Sequence, residues 1–195
     1  MTIAQAINKA LDEALNDTSV LVYGQLVKFG TAGITSGLYE KHPFRVLTFP
    51  VSEALMNSVA MGLSLAGKRP IVIHERFDFI FVGPDALIYH IPIWAKKQDL
   101  PLVVLVVVGK GAGQGPQHSK DFTHWFENFE GWTVSVPDSP ESAYRLMKDA
   151  IFGTKPVMYV VHREFLDADT KVDIPKPEYI GLCGASKRHE QEFYG

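Results

Sequence analysis

Apolar side chains recur at Ile3, Ile7, Ala10, Leu11 and Leu15, the spacing of one helix face, and a β-branched run over residues 20–23 follows and ends at Gly24. The same alternation of helix and strand returns along the chain. The pattern predicts helix-like structure over 31–41, an extended 45–49, a helix over about 53–66 and a strand over 70–74. It continues with a helix over 84–97, a strand over 102–108, a helix over 120–126, an extended 132–136, a helix over 140–152 and a strand over 157–161. Gly67 followed by Pro70 closes the helix begun at 53, and Pro92 should kink or end the helix predicted over 84–97. The run LVVLVVV is apolar without alternation, as a strand covered on both faces requires. Strands separated by helices predict an α/β fold, a mostly parallel sheet sandwiched by helices. After Phe165 the alternation stops and two prolines and several turn formers follow. Residues 1–165 are therefore expected to form one α/β domain, and 166–195 a tail that wraps a neighbour or stays loose.

Composition narrows the partners. A chain of 195 residues has room for one sizeable core. Its 19 Lys and Arg against 22 Asp and Glu leave a net charge of -3, without the basic excess that neutralises a phosphate backbone, so no nucleic acid partner is expected. A single cysteine, Cys183, excludes an internal disulfide framework and a multi-cysteine metal site, and suits a reducing, cytoplasmic location. The longest apolar run falls far short of the roughly 20 residues of a membrane helix, and the N-terminal segment reads as amphipathic rather than as a signal peptide. No membrane partner is expected.

Four places could carry chemistry. The stretch GKGAGQGP at 109–116 lies beyond the carboxyl end of the most apolar strand, where open α/β sheets place ligands. Its spacing fits neither the dinucleotide fingerprint nor the phosphate loop, and a loop needing positive φ explains it as well. Glu53 stands in the first turn of a helix behind Ser52, where complementarity to the helix dipole, worth about 0.3–1 kcal/mol, is reason enough for an acid. Leu55 at the third helical position rules out a capping box as its purpose. Phe77, Phe79 and Phe81 alternate after a strand, as core-filling side chains do. His118, in Gln117-His118-Ser119, opens the helix after the glycine loop; His124 lies six residues on, off its helical face, so the two do not form a metal pair and no metal ligand is assigned in this chain.

Taken in order, RVLTFPVSE at 45–53, Gly62, Ala66-Gly67 with Arg69-Pro70, Phe77-Asp78-Phe79, and Gln117-His118-Ser119 with Trp125-Phe126 form a more specific set than any member. Together they resemble the beta subunit of the decarboxylating component of 2-oxo acid dehydrogenases, over about residues 3–165. That is the pyrimidine-binding domain shared by transketolases and other thiamine diphosphate enzymes. The resemblance implies that Glu53 hydrogen-bonds a ring nitrogen of the cofactor's aminopyrimidine and is catalytic. It implies that Phe79, or Phe77 if the register slips by two, lies on the pyrimidine face, and that His118 faces the substrate as a second catalytic group. Gln25 matches a cofactor-binding position where the family often has a glutamate, so a local charge is missing.

The function implied is a beta subunit of a split thiamine diphosphate enzyme that decarboxylates a 2-oxo acid and transfers the resulting acyl or aldehyde fragment to an acceptor. Transketolase-like two-carbon transfer from a ketose is the alternative, and a non-catalytic partner-binding subunit the bland one. The family holds the diphosphate and Mg²⁺ with a Gly-Asp-Gly and a later Asn; no Gly-Asp-Gly occurs here, and the sequence ends where the family's C-terminal domain would begin. The resemblance therefore implies an alpha-type subunit carrying the diphosphate-binding domain and most of the Mg²⁺ site, in an α2β2 heterotetramer acting on a small 2-oxo acid or sugar.

Overall fold

Strand β4 (Val103–Val108) is buried at every position. It lies inside one six-stranded sheet, between β3 (Arg69–His74) and β6 (Val157–His162), and needs apolar side chains on both faces. The strands β1 (Val20–Gly24), β2 (Val46–Thr48) and β5 (Thr133–Ser135) complete the order β2-β1-β3-β4-β6-β5, and every neighbouring pair is parallel. This is the α/β fold the alternation predicts. It is seen in a computed structural model that describes residues 1–110 and 113–175. Gly111 and Ala112 of the glycine loop, Cys183 and the expected tail from 176 onward lie outside the described residues.

Helices cover both faces. On one, α1 (Ile3–Ala14) and α6 (Pro140–Phe152) turn Ile7, Leu11, Met147 and Ile151 into a core shared with Ile71, Leu105 and Tyr159. Both helices start at capped residues: Thr2 exchanges hydrogen bonds with Gln5, and Ser139 with Ser142 ahead of Pro140. On the other face α3 (Glu53–Leu65), α4 (Ile91–Ala95) and α5 (Thr123–Glu127) close over Met56, Phe77, Leu87, Val104 and Phe126. The chain stays attached past 165, because Ala4 N–H bonds Leu166 O and Ile3 N–H bonds Ala168 O, each at 2.9 Å, and Leu166 is buried.

Two predicted helices are revised. Residues 31–41 are not one helix: Gly33 and Gly37, like Gly30 just before them, take positive φ and break the segment into a 3-10 turn at Thr31–Gly33 and the short α2 (Leu38–Lys41). Residues 84–97 divide at His90 into a wide π-type turn, Ala86–His90, and the short α4. Pro92 has no N–H to give a carbonyl one turn back, and it is accommodated in the first turn of α4.

Candidate functional site

The carboxyl ends of β1, β2 and β3 bring three connecting segments to the same edge of the sheet, the edge at which ligands bind in open parallel sheets. Gln25 follows β1. Glu53 opens α3 after β2, with the Ser52 hydroxyl accepting the Leu55 N–H at 3.4 Å to fix the first turn. Glu53 is only 6% exposed, and Gln25 Nε2 donates to its Oε1 at 3.1 Å. Its Oε2 has no hydrogen-bond partner among the described residues. A carboxylate so placed can share a proton, or a hydrogen bond, with one polar heteroatom that reaches it.

After β3 the chain makes a 3-10 turn, Phe77–Val82. Phe77 is fully buried against Phe122 and Phe126, with ring centroids 5.7 and 6.0 Å away, so it belongs to the core. Phe79 keeps part of its ring accessible and meets His118 edge-on at 5.2 Å. His118 ends a short turn, Pro116–His118, which is held to the aromatic turn by the Lys120 N–H on the Asp78 carboxylate at 3.3 Å. The two halves of the site meet at Gly83, where any Cβ would collide with Ala54 in the first turn of α3. Of the five residues singled out from sequence, the structure thus pairs Gln25 with Glu53 and Phe79 with His118, and places Phe77 behind them.

A second polar pair, His74 with Asn57, carries no strong sequence signal. His74 ends β3 and is 2% exposed; its Nε2 meets Asn57 Oδ1 at 2.8 Å, and Asn57 lies one turn beyond Glu53 on the inner side of α3. Burial pushes the imidazole pKa from 6.5 down to about 4, so the ring is neutral at pH 7. Asn57 Nδ2 is buried without a hydrogen-bond partner among the described residues. An Asn four residues after a helix-opening Glu, amid apolar neighbours, was the only hint.

Fold and site define an α/β domain that presents a buried carboxylate at the carboxyl edge of a parallel sheet. The sequence matches the family described as "Transketolase, pyrimidine binding domain" over residues 1–167, and the chain belongs to that family. The pyruvate dehydrogenase E1 component subunit beta-2, mitochondrial, of Oryza sativa subsp. japonica is 35% identical over 168 residues, covering 82% of this chain and 45% of that one. The acetoin:2,6-dichlorophenolindophenol oxidoreductase subunit beta of Cupriavidus necator is 29% identical over 189 residues, 88% of this chain and 56% of that one. A solved structure described as "Split gene transketolase, inactive beta4 tetramer" shares the fold, with a TM-score of 0.68 at 20% identity over 89% of this chain and 53% of that one. The chain spans about half the length of the curated relatives it matches. Among the described residues no helix is long and apolar enough to cross a membrane.

Proposed function

We propose that this chain is the pyrimidine-binding, beta-type subunit of a thiamine diphosphate enzyme that decarboxylates a 2-oxo acid and transfers the resulting acyl or aldehyde fragment to an acceptor. The observation that carries the reading is the Glu53 carboxylate, buried at the sheet edge with one oxygen bonded to a neutral amide and the other unpartnered. The residues fit an aminopyrimidine: an acceptor for a ring nitrogen in Glu53 and an accessible aromatic face in Phe79. Bound, the cofactor supplies an electron sink for the bond to the departing carboxylate.

The chain's own groups do the rest. With an aminopyrimidine bound, Glu53 would share a proton between its carboxylate and the ring nitrogen, and its burial would limit loss of that proton to solvent. Gln25 orients the carboxylate without adding a second negative charge that would repel it. Phe79 offers a flat apolar surface, and His118 beside it donates a hydrogen bond to a substrate carboxylate or to a developing oxygen anion. The diphosphate and Mg²⁺ are assigned to an alpha-type partner in an α2β2 assembly. Leu55, Ile88, Ile93 and Trp94, large apolar side chains left exposed on the same face as Glu53, support a reading in which another subunit covers that face.

The test is reconstitution with the alpha-type partner. Glu53→Gln should leave assembly intact and lower kcat by about 10²–10⁴-fold, the range of a lost acid–base group. Unchanged turnover in that variant would remove the assignment. Wild-type complex should release carbon dioxide from pyruvate or a related 2-oxo acid; turnover of a ketose phosphate alone would replace decarboxylation with two-carbon transfer.

A further inference from the structure

Glu53 follows β2, at one end of the sheet; at the other end a cavity of about 400 Å³ opens between the segments that follow β5 and β6, the helix α5 and the chain at 171–175. That volume is in the range of small-molecule sites. Its walls carry the carboxylates of Asp121, Glu127, Asp138 and Asp173, with Lys171 as the one ammonium among the described lining residues. Lys171 Nζ stands 3.2 Å from Asp138 Oδ2, so that charge is already answered. The other three carboxylates share one concave space, where their fields add. The arrangement is tied together by the backbone: Val172 N–H bonds the Asp138 carbonyl at 2.8 Å and anchors the segment that carries Asp173.

A histidine marks the same cavity. His162, the last residue of β6, forms part of its wall, and the side chain is only 4% exposed. Neither ring nitrogen has a hydrogen-bond partner among the described residues: Nδ1 is buried and unpaired, and Nε2 stands 3.7 Å from Asp121 Oδ2, beyond bonding distance. Asp121 is kept from closing that gap by Thr123, whose N–H and hydroxyl hold its Oδ1 at 2.9 and 2.5 Å. Burial keeps the imidazole pKa below 6.5 against the pull of Asp121, so the ring is neutral at pH 7 and offers one acceptor and one donor. Buried polar atoms are ordinarily paired, and an imidazole open at both nitrogens points to a partner that the chain itself does not supply.

We propose that this cavity binds a small organic cation, whose ammonium or guanidinium N–H groups are taken up by Asp121, Glu127 and Asp173 with His162 as a further acceptor. Carboxylate oxygens and a neutral imidazole all accept, which selects a group rich in N–H donors. Among the described residues no three His, Cys, Asp or Glu side chains are grouped to hold one metal ion, whereas a ligand several atoms across spans the wider spacing. The assignment goes beyond the function proposed above and does not depend on it.

The full chain at physiological ionic strength, titrated with butylamine and separately with butylguanidine, should bind at least one of them saturably. Amide shifts should concentrate at residues 121–127 and 171–175, with a shift of the His162 ring resonances. Butanol, the neutral counterpart, should not bind. Asp173→Asn combined with Glu127→Gln, changes at two exposed side chains, should weaken binding about tenfold, the scale of one charge-assisted hydrogen bond, with the melting temperature unchanged. Glu53→Gln should bind the cation as the wild type does, so failure of the proposed reaction leaves this site standing. Tighter binding of butylguanidine assigns a planar, forked ligand, and tighter binding of butylamine a compact ammonium. Absence of saturable binding by either cation, equal binding of butanol, or wild-type affinity in the double variant overturns the site. Mg²⁺ binding with the same shifts would overturn it too, in favour of a metal site.

Discussion

On one face of the sheet α1 and α6 bury Ile7, Leu11, Met147 and Ile151 and turn charge outward: Glu13 takes the Tyr144 hydroxyl at 2.5 Å and Lys148 at 3.3 Å, and Lys9 lies over the Tyr144 ring. On the opposite face α3 and α4 leave Leu55, Leu65, Ile93 and Trp94 exposed, and beneath them sit a buried acid and a buried neutral imidazole. The first face is arranged to meet water. The second buries three polar groups, Glu53, Asn57 and His74, beside its apolar core, and leaves apolar side chains exposed on its outer helices. Stability and candidate chemistry are thus divided between the two sides of one sheet.

That division can be broken by unfolding measurements. The largest expected effect is Leu11→Ala, which empties a fully buried site and should cost about 2–5 kcal/mol in chemical denaturation; a loss below 1 kcal/mol would mean the first face does not carry the stability assigned to it. Next is acid sensitivity on the second face. His74 is depressed from 6.5 to about 4 in the folded chain, so below pH 6.5 the unfolded chain binds the extra proton first and stability falls until about pH 4. The full loss from this one group is about 3 kcal/mol, and none of it is felt above pH 7. Replacing His74 and Asn57 together by Leu removes both polar partners without stranding either, and should flatten that part of the stability profile; an unchanged slope would assign the acid loss elsewhere. The smallest expected effect is Leu55→Ala on the outer side of α3, within about 0.5 kcal/mol for the chain alone, as at other exposed positions.

The fold was largely legible because its signals are local. Ser139 and Pro140 announce the start of α6, and the unbroken apolar run announces β4, each from its own neighbours. Residues 31–41 misled because their apolar spacing is helical, whereas the three glycines decide the backbone. The site was legible only in part. Glu53, Gln25, Phe79 and His118 were named through an ordered resemblance, while the burial that puts Phe77 in the core and leaves Phe79 partly accessible is not given by alternation alone. His74 with Asn57 was not legible because the pair is made by the packing of α3 on the sheet, and the spacing of residues 57 and 74 does not encode it.

The strand order also bears on how the chain acquires its structure. β5 precedes β6 in the chain yet pairs with β6 alone, because β6 inserts between it and β4. Among the described residues no hairpin joins neighbouring strands, so each pairing must close a long loop, a topology that folds slowly. As the polypeptide leaves the ribosome, the segment at 133–135 has to wait for residues 157–162 before its backbone amides find partners, and until then both it and the flank of β4 are open to pairing with the wrong chain.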